Sequence, residues 1–268
     1  MKIGIIGVGM VGGAIKRAYQ RYDPICLDPA KGFKDNVYAS DCIFICVPTP
    51  TDRNKHQNAS ALIDVLLDLD RNNYAGVCII KSTILPGTTK TLAKGFPNLT
   101  LCHNPEFLTA RNAYNDFISQ PMSVIGHPYI DNSPKLKSIT TIVEAIYHLI
   151  KIPVTFIGSN ESEMAKYMHN IFLATKVIMM NEFNDACRAN NINYDTAISA
   201  AITQGKIGNS HTVIAQDGKP GYSGYCFPKD VTAFLKKYND CNIELLKKQW
   251  VVNKKLRGKD DQFINTFW

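Results

Sequence analysis

The sequence has no CxxC pair and no spaced set of cysteines and histidines, although it holds eight cysteines. Neither a disulfide framework nor a metal site is therefore expected. Cys26, Cys42, Cys46 and Cys78 lie inside apolar, strand-like runs, where cysteine serves as a small core residue. No apolar run reaches membrane-spanning length, and the start MKIGIIGVGM has neither a basic leader region nor a cleavage-site pattern. A cytoplasmic protein without a membrane partner is expected. Only two aromatic residues, Tyr238 and Trp250, stand within the late basic cluster (Lys236, Lys237, Lys247, Lys248, Lys254, Lys255, Arg257, Lys259), fewer than a base-stacking groove would need. That cluster therefore reads as a solvated helix face rather than a nucleic-acid surface. The net charge of +7 suits an anionic small substrate. Internal repeats and low-complexity tracts are also missing.

What is present is a chain of 268 residues, 45% hydrophobic and 20% charged, enough to bury a large domain and a smaller one. Residues 1–157 alternate short apolar runs (KIGIIG, PICLD, CIFICV, VCIIKS, LTLCHN, MSVIG, PVTFIG) with helical patterns. This alternation predicts an α/β domain, a Rossmann-like parallel sheet covered by helices. Residues 158–268 predict an all-helical domain. Ser162 to Asn190 contains no Gly or Pro and should form a helix about 40 Å long. Its middle (Ile171, Phe172, Leu173, Ala174, Val177, Ile178, Met179, Met180) leaves almost no polar face, so burial all round against a symmetry mate, in a homodimer, is expected. Asn209–Gly224 should be a loop, with Pro228 opening a further helix, and the chain closes in a basic helix with an aromatic tail, Phe263 to Trp268.

Gly7-Val8-Gly9-Met10-Val11-Gly12 follows an apolar strand and opens a helix, the context a dinucleotide fingerprint requires. Glycines let the backbone approach a pyrophosphate, and the helix N-terminus attracts its charge. Asp28, at the end of the next strand, supplies a carboxylate for ribose hydroxyls and would repel a 2′-phosphate, which favours NAD over NADP. Thr49 and Thr83 follow strands at their carboxyl ends and are candidates to touch cofactor or substrate. Each could equally be a turn residue bonding its own backbone.

The richest stretch is GYSGYCFPKD, residues 221–230. Cys226 precedes a Pro-initiated helix, whose N-terminus, with neighbouring lysines, favours a thiolate nucleophile; a buried structural cysteine is the other reading. Glu163, Lys166 and Asn170 fall on one face of the long helix. Lys166 and Asn170 could bind an oxygen that gains charge during reaction, or the three could form a solvated stripe. His103, His169 and His211 have no sequence partner and read as ordinary polar residues.

Together these pieces resemble the UDP-glucose and GDP-mannose dehydrogenase family, most closely its bacterial UDP-glucose 6-dehydrogenase type. The motifs stand in family order: GVGMVG with Asp28, VPTPTD, KSTILPGTT, NPEFL, GSNESEMAKYMHN, KIGNSH and GYSGYCFPKD. The resemblance implies four-electron oxidation of a sugar's primary alcohol to a carboxylate by two NAD molecules, as in polysaccharide precursor synthesis, with Cys226 carrying a thiohemiacetal and then a thioester. It implies oxyanion stabilisation by Lys166 and Asn170, a positioning role for Asp230, and water handling by Thr83 and Glu106. Lys31 and Lys229 are implied at the cofactor together with Gly7, Gly9, Met10, Val11, Gly12, Asp28, Thr49 and Thr83. The substrate would meet Glu106, Phe107, Leu108, Lys166, Asn170, Lys206, Tyr222 and Gly224.

Departures from the family pattern are specific. Only a short loop is expected between Asp28 and the CIFICV strand, so the cofactor domain reads as abridged. Ala110 replaces a glutamate, Ser223 a glycine and Lys206 an arginine. The family's C-terminal domain, which covers the nucleotide half of the substrate, has no counterpart in the sequence, so a partner chain supplying it is one expectation. Two other functions stay open: a catalytically weak NAD-binding remnant used in assembly, and a single-step hydroxyacid-type dehydrogenase.

Overall fold

The computed structural model describes residues 1–52 and 54–258. Lys259 and the aromatic tail Phe263–Trp268 lie outside the described residues. The chain divides into two compact units, Met1–Pro50 with Gln57–Lys166, and Thr51–His56 with Tyr167 onward.

The first unit is built on an eight-stranded sheet. Its strands are β1 (Ile3–Ile6), β2 (Ile25–Asp28), β3 (Phe33–Lys34), β4 (Cys42–Ile45), β5 (Val77–Ile80), β6 (Thr100–His103), β7 (Ser123–His127) and β8 (Val154–Gly158). Their spatial order is β3-β2-β1-β4-β5-β6-β7-β8. β1, β4 and β5 are buried at every residue because helices cover both faces, which explains their unbroken apolar sequences. Side-chain alternation sends Ile3, Ile5, Phe44 and Ile79 to one core and Ile6, Ile43, Ile45 and Ile80 to the other. The first core holds Ala14 and Ile15 of α1 (Met10–Ala18), Phe117 of α4 (Ala113–Ile118) and Tyr147 of α5 (Pro134–Leu149). The second holds Leu62, Leu66 and Leu69 of α2 (Ser60–Arg71) and Leu92 of α3 (Thr88–Gly95). The strand order reverses between β1 and β4, and ligands of open α/β sheets collect at such a crevice.

Two features differ from the sequence expectation. The sheet is mixed, since β3 pairs antiparallel with β2 and β7 pairs antiparallel with β6. The segment after Asp28 is also more than a loop. It carries β3 between two 3₁₀ turns, Pro29–Lys31 and Val37–Ala39, and Asp35 accepts the Cys26 N–H at 2.8 Å. A short hairpin-like edge thus stands where only a loop is expected from the sequence.

The long helix α6 runs Ser159–Ala189, three residues earlier at its start than expected, and its 31 residues span about 46 Å. Its first turns, to Lys166, group with the sheet. The helical unit continues with α7 (Tyr194–Ile202), α8 (Cys226–Lys237) and α9 (Glu244–Arg257). The middle of α6 is not buried all round in the single chain. Ile171, Ala174, Ile178 and Met180 are buried, whereas Met168, Phe172, Met179 and Phe183 are 47–68% exposed. Nor is the basic cluster wholly solvated. Arg257 is buried and donates to Asp217 at 2.8 Å, and that ion pair outweighs burial to hold the Asp217 carboxyl down at about 2. Among the described residues no helix is long and apolar enough to cross a membrane.

Candidate active site

The glycine turn is shaped by steric necessity. A Cβ on Gly12 would lie 2.0 Å from the Gly7 carbonyl oxygen, and one on Gly7, at φ +85°, would lie 2.8 Å from the Cys46 carbonyl oxygen. These two glycines let α1 sit directly on β1. Gly9 differs, because a Cβ there meets nothing within 4 Å. Gly9 is also the N-cap of α1, with no side-chain cap and no acidic residue in the first turn. Met10, Val11 and Gly12 therefore open a helix whose start has room beside Gly9 and no side-chain cap, a fit for a pyrophosphate. Asp28 Oδ2 accepts the Val8 N–H at 2.8 Å, and Lys31 Nζ donates to the Val8 carbonyl at 2.7 Å. Both residues expected at the cofactor thus brace its loop from the end of β2.

At the carboxyl ends of β4 and β5, Thr49 is buried and donates to the Thr83 carbonyl at 2.6 Å, and Gln57 Nε2 donates to the same oxygen at 3.0 Å. The backbone of Thr83 is thereby fixed.

The loop after β6 is held residue by residue. Lys81 Nζ donates to Asn104 Oδ1 at 2.9 Å and lies 3.4 Å from the Pro105 carbonyl. Asn104 also accepts from Tyr147 and donates to Ser123 and Val124. Lys166 Nζ donates to the Glu106 carbonyl at 2.6 Å and its Oε1 at 2.8 Å, and Glu106 Oε2 accepts the Leu108 N–H at 2.8 Å. Burial alone would raise the Glu106 carboxyl, but the charge and hydrogen bond of Lys166 overcome it and hold that carboxyl below its usual range. The Phe107 ring centroid stands 5.7 Å from the same ammonium. Burial lowers Lys81 to about 8. Sequence reasoning passed over Lys81, although a lysine at the end of an apolar strand was a visible signal.

Glu163, Lys166 and Asn170 are all at least 97% buried, which removes the solvated-stripe reading. Glu163 nevertheless does something the sequence did not suggest. Its carboxylate accepts from the Gly87 and Thr89 N–H groups and the Thr89 hydroxyl at 2.6–2.7 Å, capping α3. His103 is fully buried and bonded to Ser162 at 2.5 Å. Burial, with Lys81 and Lys166 nearby, drives its pKa down to about 3, so it is neutral and inside the core rather than an acid–base catalyst.

In the helical unit, α8 begins at Cys226 itself, two residues ahead of Pro228, whose lack of an N–H is harmless in the first turn. Cys226 is partly exposed, unlike the buried Cys42, whose thiol burial pushes up to about 12. One turn along α8, Asp230 forms an ion pair with Lys229 and accepts Asn170 Nδ2 at 2.7 Å. Burial opposes the Lys229 charge, yet Asp230 more than offsets it and raises the ammonium's pKa. Lys229, expected at the cofactor, thus has its charge engaged within the protein. Tyr222 is buried with its N–H on Asn253 Oδ1 at 2.8 Å, and Gly221 and Gly224 take positive φ. A Cβ on Gly221 would meet Asn253 at 2.6 Å, whereas Ser223 is accommodated by donating to Asp217 at 2.5 Å. Lys206 and Ala110 are exposed.

Residues 22–151 match the UDP-glucose/GDP-mannose dehydrogenase family's NAD binding domain, and residues 160–255 match its central domain. A UDP-glucose 6-dehydrogenase from Rhizobium meliloti is 32% identical over 216 residues, covering 77% of this chain and 48% of its own. The chain spans about half the length of the first curated relatives it matches. In fold it is similar to a UDP-glucose dehydrogenase from Pyrobaculum islandicum, with TM-score 0.81, 20% identity, and coverage of 95% of this chain and 68% of that one. The Mycobacterium tuberculosis 3-hydroxyisobutyrate dehydrogenase shares the fold at TM-score 0.70 and 14% identity, over 99% of this chain and 98% of its own. Matched along both its sheet and its helices, the chain belongs to the UDP-glucose/GDP-mannose dehydrogenase family and carries that family's NAD binding domain.

Proposed function

We propose that this protein is an NAD-dependent nucleotide-sugar dehydrogenase that oxidises the primary alcohol of a UDP-glucose-type substrate to a carboxylate. The observation that carries the reading is the presence of both the family's NAD binding and central domains, with GYSGYCFPKD placing Cys226 at the start of α8. In this reading residues 1–157 bind the cofactor and residues 158–268 supply the thiol.

The α1 N-terminus and Gly9 would hold the pyrophosphate, Asp28 the ribose hydroxyls, and Thr49, Thr83 and Lys31 the flanking groups. When bound, NAD accepts a hydride. Loss of a hydride and the hydroxyl proton converts the alcohol to an aldehyde. The Cys226 thiolate adds to the aldehyde carbon, and the oxyanion so formed falls to the Lys166 ammonium and the Asn170 amide. A second hydride leaves that carbon, giving a thioester. Water then attacks the carbonyl, the C–S bond breaks, and carboxylate and thiol are released. Glu106, paired with Lys166, would take a proton from the water held near Thr83. Asp230, with Lys229 neutralising its charge, holds Asn170. Phe107, Leu108, Lys206, Tyr222 and Gly224 would line the sugar-nucleotide site.

The exposed Met168, Phe172, Met179 and Phe183 are proposed to meet a second copy, making a homodimer. Steady-state NADH formation against a panel of UDP- and GDP-sugars tests the reading. Two NADH per sugar oxidised is expected, and no sugar giving two would end it. A hydroxyacid-type dehydrogenase, favoured by the buried Lys166 and Asn170 one turn apart, would yield one NADH and have no use for Cys226.

A further inference from the structure

Two buried lysines close on one short loop of the sheet unit. Lys81, at the carboxyl end of β5, donates from Nζ to Asn104 Oδ1 at 2.9 Å and lies 3.4 Å from the Pro105 carbonyl. Lys166, on the first turns of α6, donates to the next carbonyl along, that of Glu106, at 2.6 Å and to Glu106 Oε1 at 2.8 Å. Consecutive loop carbonyls therefore each face an ammonium group, with the Glu106 carboxylate beside them. Lys81 and Lys166 are each 3% exposed and Glu106 is 7% exposed, so water screens these charges little from one another. The two oxygens that meet Lys81 are neutral, one an amide and one a peptide carbonyl. An ammonium so placed is costly to bury, and the loop has other anchors, since Asn104 also bonds Tyr147, Ser123 and Val124. The charge of Lys81, rather than its hydrogen bond, is what calls for a use.

The geometry points to Lys81 as a positioning residue for Glu106, a fixed cation that keeps this carboxylate charged and seated while Lys166 serves the oxyanion. The functional part rests on the reading of Glu106 as the base and Lys166 as the oxyanion's partner. In that reading Lys166 answers two anions in turn, and what it gives the oxyanion weakens its hold on Glu106. Lys81, tied to Asn104 and Pro105, stays with the loop throughout. Burial first, then repulsion by Lys166, lowers Lys81 to about 8, which leaves it largely protonated at pH 7. Burial pushes the Glu106 carboxyl up, and Lys166, the Leu108 N–H and Lys81 together bring it below its usual range. Of the titratable groups nearby, Cys46, Cys102 and Tyr147 are raised and His103 is lowered, so all four are neutral at pH 7. The Glu163 carboxylate is bonded to Gly87 and Thr89.

Three substitutions separate charge from packing. Lys81→Met removes the charge and the hydrogen bond, Lys81→Gln keeps a donor for Asn104 without the charge, and Lys81→Arg keeps the charge. With the full chain labelled at its glutamate carboxyls, ¹³C NMR between pH 7 and pH 4 reads the titration of Glu106, its signal assigned by Glu106→Gln. Wild type and Lys81→Arg should hold Glu106 ionised down to about pH 4, whereas Lys81→Met and Lys81→Gln should raise its midpoint by about one unit. In NADH assays at pH 7 the same two variants should lower kcat about tenfold and leave KM unchanged. Circular dichroism at each pH checks the fold, and Lys81→Gln decides where Lys81→Met does not fold. A midpoint that stays put in both variants, moves in Lys81→Met but not in Lys81→Gln, or moves equally in Lys81→Arg overturns the proposal. So does a wild-type Glu106 that titrates at or above its usual 4.5. A wild type without sugar-nucleotide turnover removes the functional reading, while the carboxylate titration still decides whether Lys81 holds Glu106 charged.

Discussion

His103 should make the sheet unit lose stability in acid in a way that one substitution can isolate. The ring is fully buried on β6, held by Ser162 at 2.5 Å, and close enough to Lys81 and Lys166 for their charges to oppose protonation. Burial first, and those lysines second, take its pKa from 6.5 down to about 3. In the unfolded chain it returns to the ordinary value, so between those limits the unfolded state binds the proton and the folded state does not. Stability is therefore complete above about pH 6.5 and falls with pH at about 1.4 kcal/mol per unit, toward a ceiling of about 5 kcal/mol. Urea denaturation between pH 7 and pH 4, followed by far-UV circular dichroism, measures the slope. Other acid-sensitive groups, Glu106 among them, titrate alike in wild type and His103→Asn and cancel in the difference. The variant should be less stable at pH 7, yet its stability should fall more slowly by about one proton's worth per pH unit. Parallel pH profiles would show that His103 is not held neutral and would refute the reasoning.

The glycine turn predicts a contrast. Gly12→Ala drives a Cβ to 2.0 Å from a backbone oxygen and should cost at least about 3 kcal/mol in thermal denaturation, whereas Gly9→Ala should melt like wild type and lose NAD affinity by calorimetry. Glu163→Gln replaces one accepting oxygen of the α3 cap with a donor and should cost about 2 kcal/mol, with faster hydrogen exchange at Gly87 and Thr89. Phe172→Glu places a charge on the exposed stripe of α6 and should convert a dimer to a monomer in sedimentation velocity. A wild type that sediments as a stable monomer contradicts the proposed dimer.

Much of the fold was legible because its signals were local. Ile3–Ile6, Cys42–Ile45 and Val77–Ile80 are apolar at successive positions, a pattern that burial on both faces imposes. The two residues of β3 carry no such pattern, since an edge strand needs only backbone pairing on one side. What the sequence hid was decided by partners far along the chain. Arg257 belongs by sequence to a basic helix face but is buried by Asp217, 40 residues earlier. Glu163 looked like part of a catalytic stripe, and its use depends on the α3 N-terminus 74–76 residues upstream. Lys166 and Asn170 were readable as a pair on a helix, but their partners Glu106 and Asp230 lie 60 residues away in opposite directions. On α6, an almost wholly apolar segment predicted burial without saying whether this chain or a second copy supplies it.

The central claim is that Cys226 carries the sugar as a thioester. Intact-protein mass spectrometry on acid-quenched reactions of the wild type and Cys226→Ser with NAD and UDP-glucose tests it most directly. A covalent adduct on the Cys226 peptide of the wild type, absent from the variant together with carboxylate product, is the predicted result. Undiminished carboxylate from Cys226→Ser would contradict it.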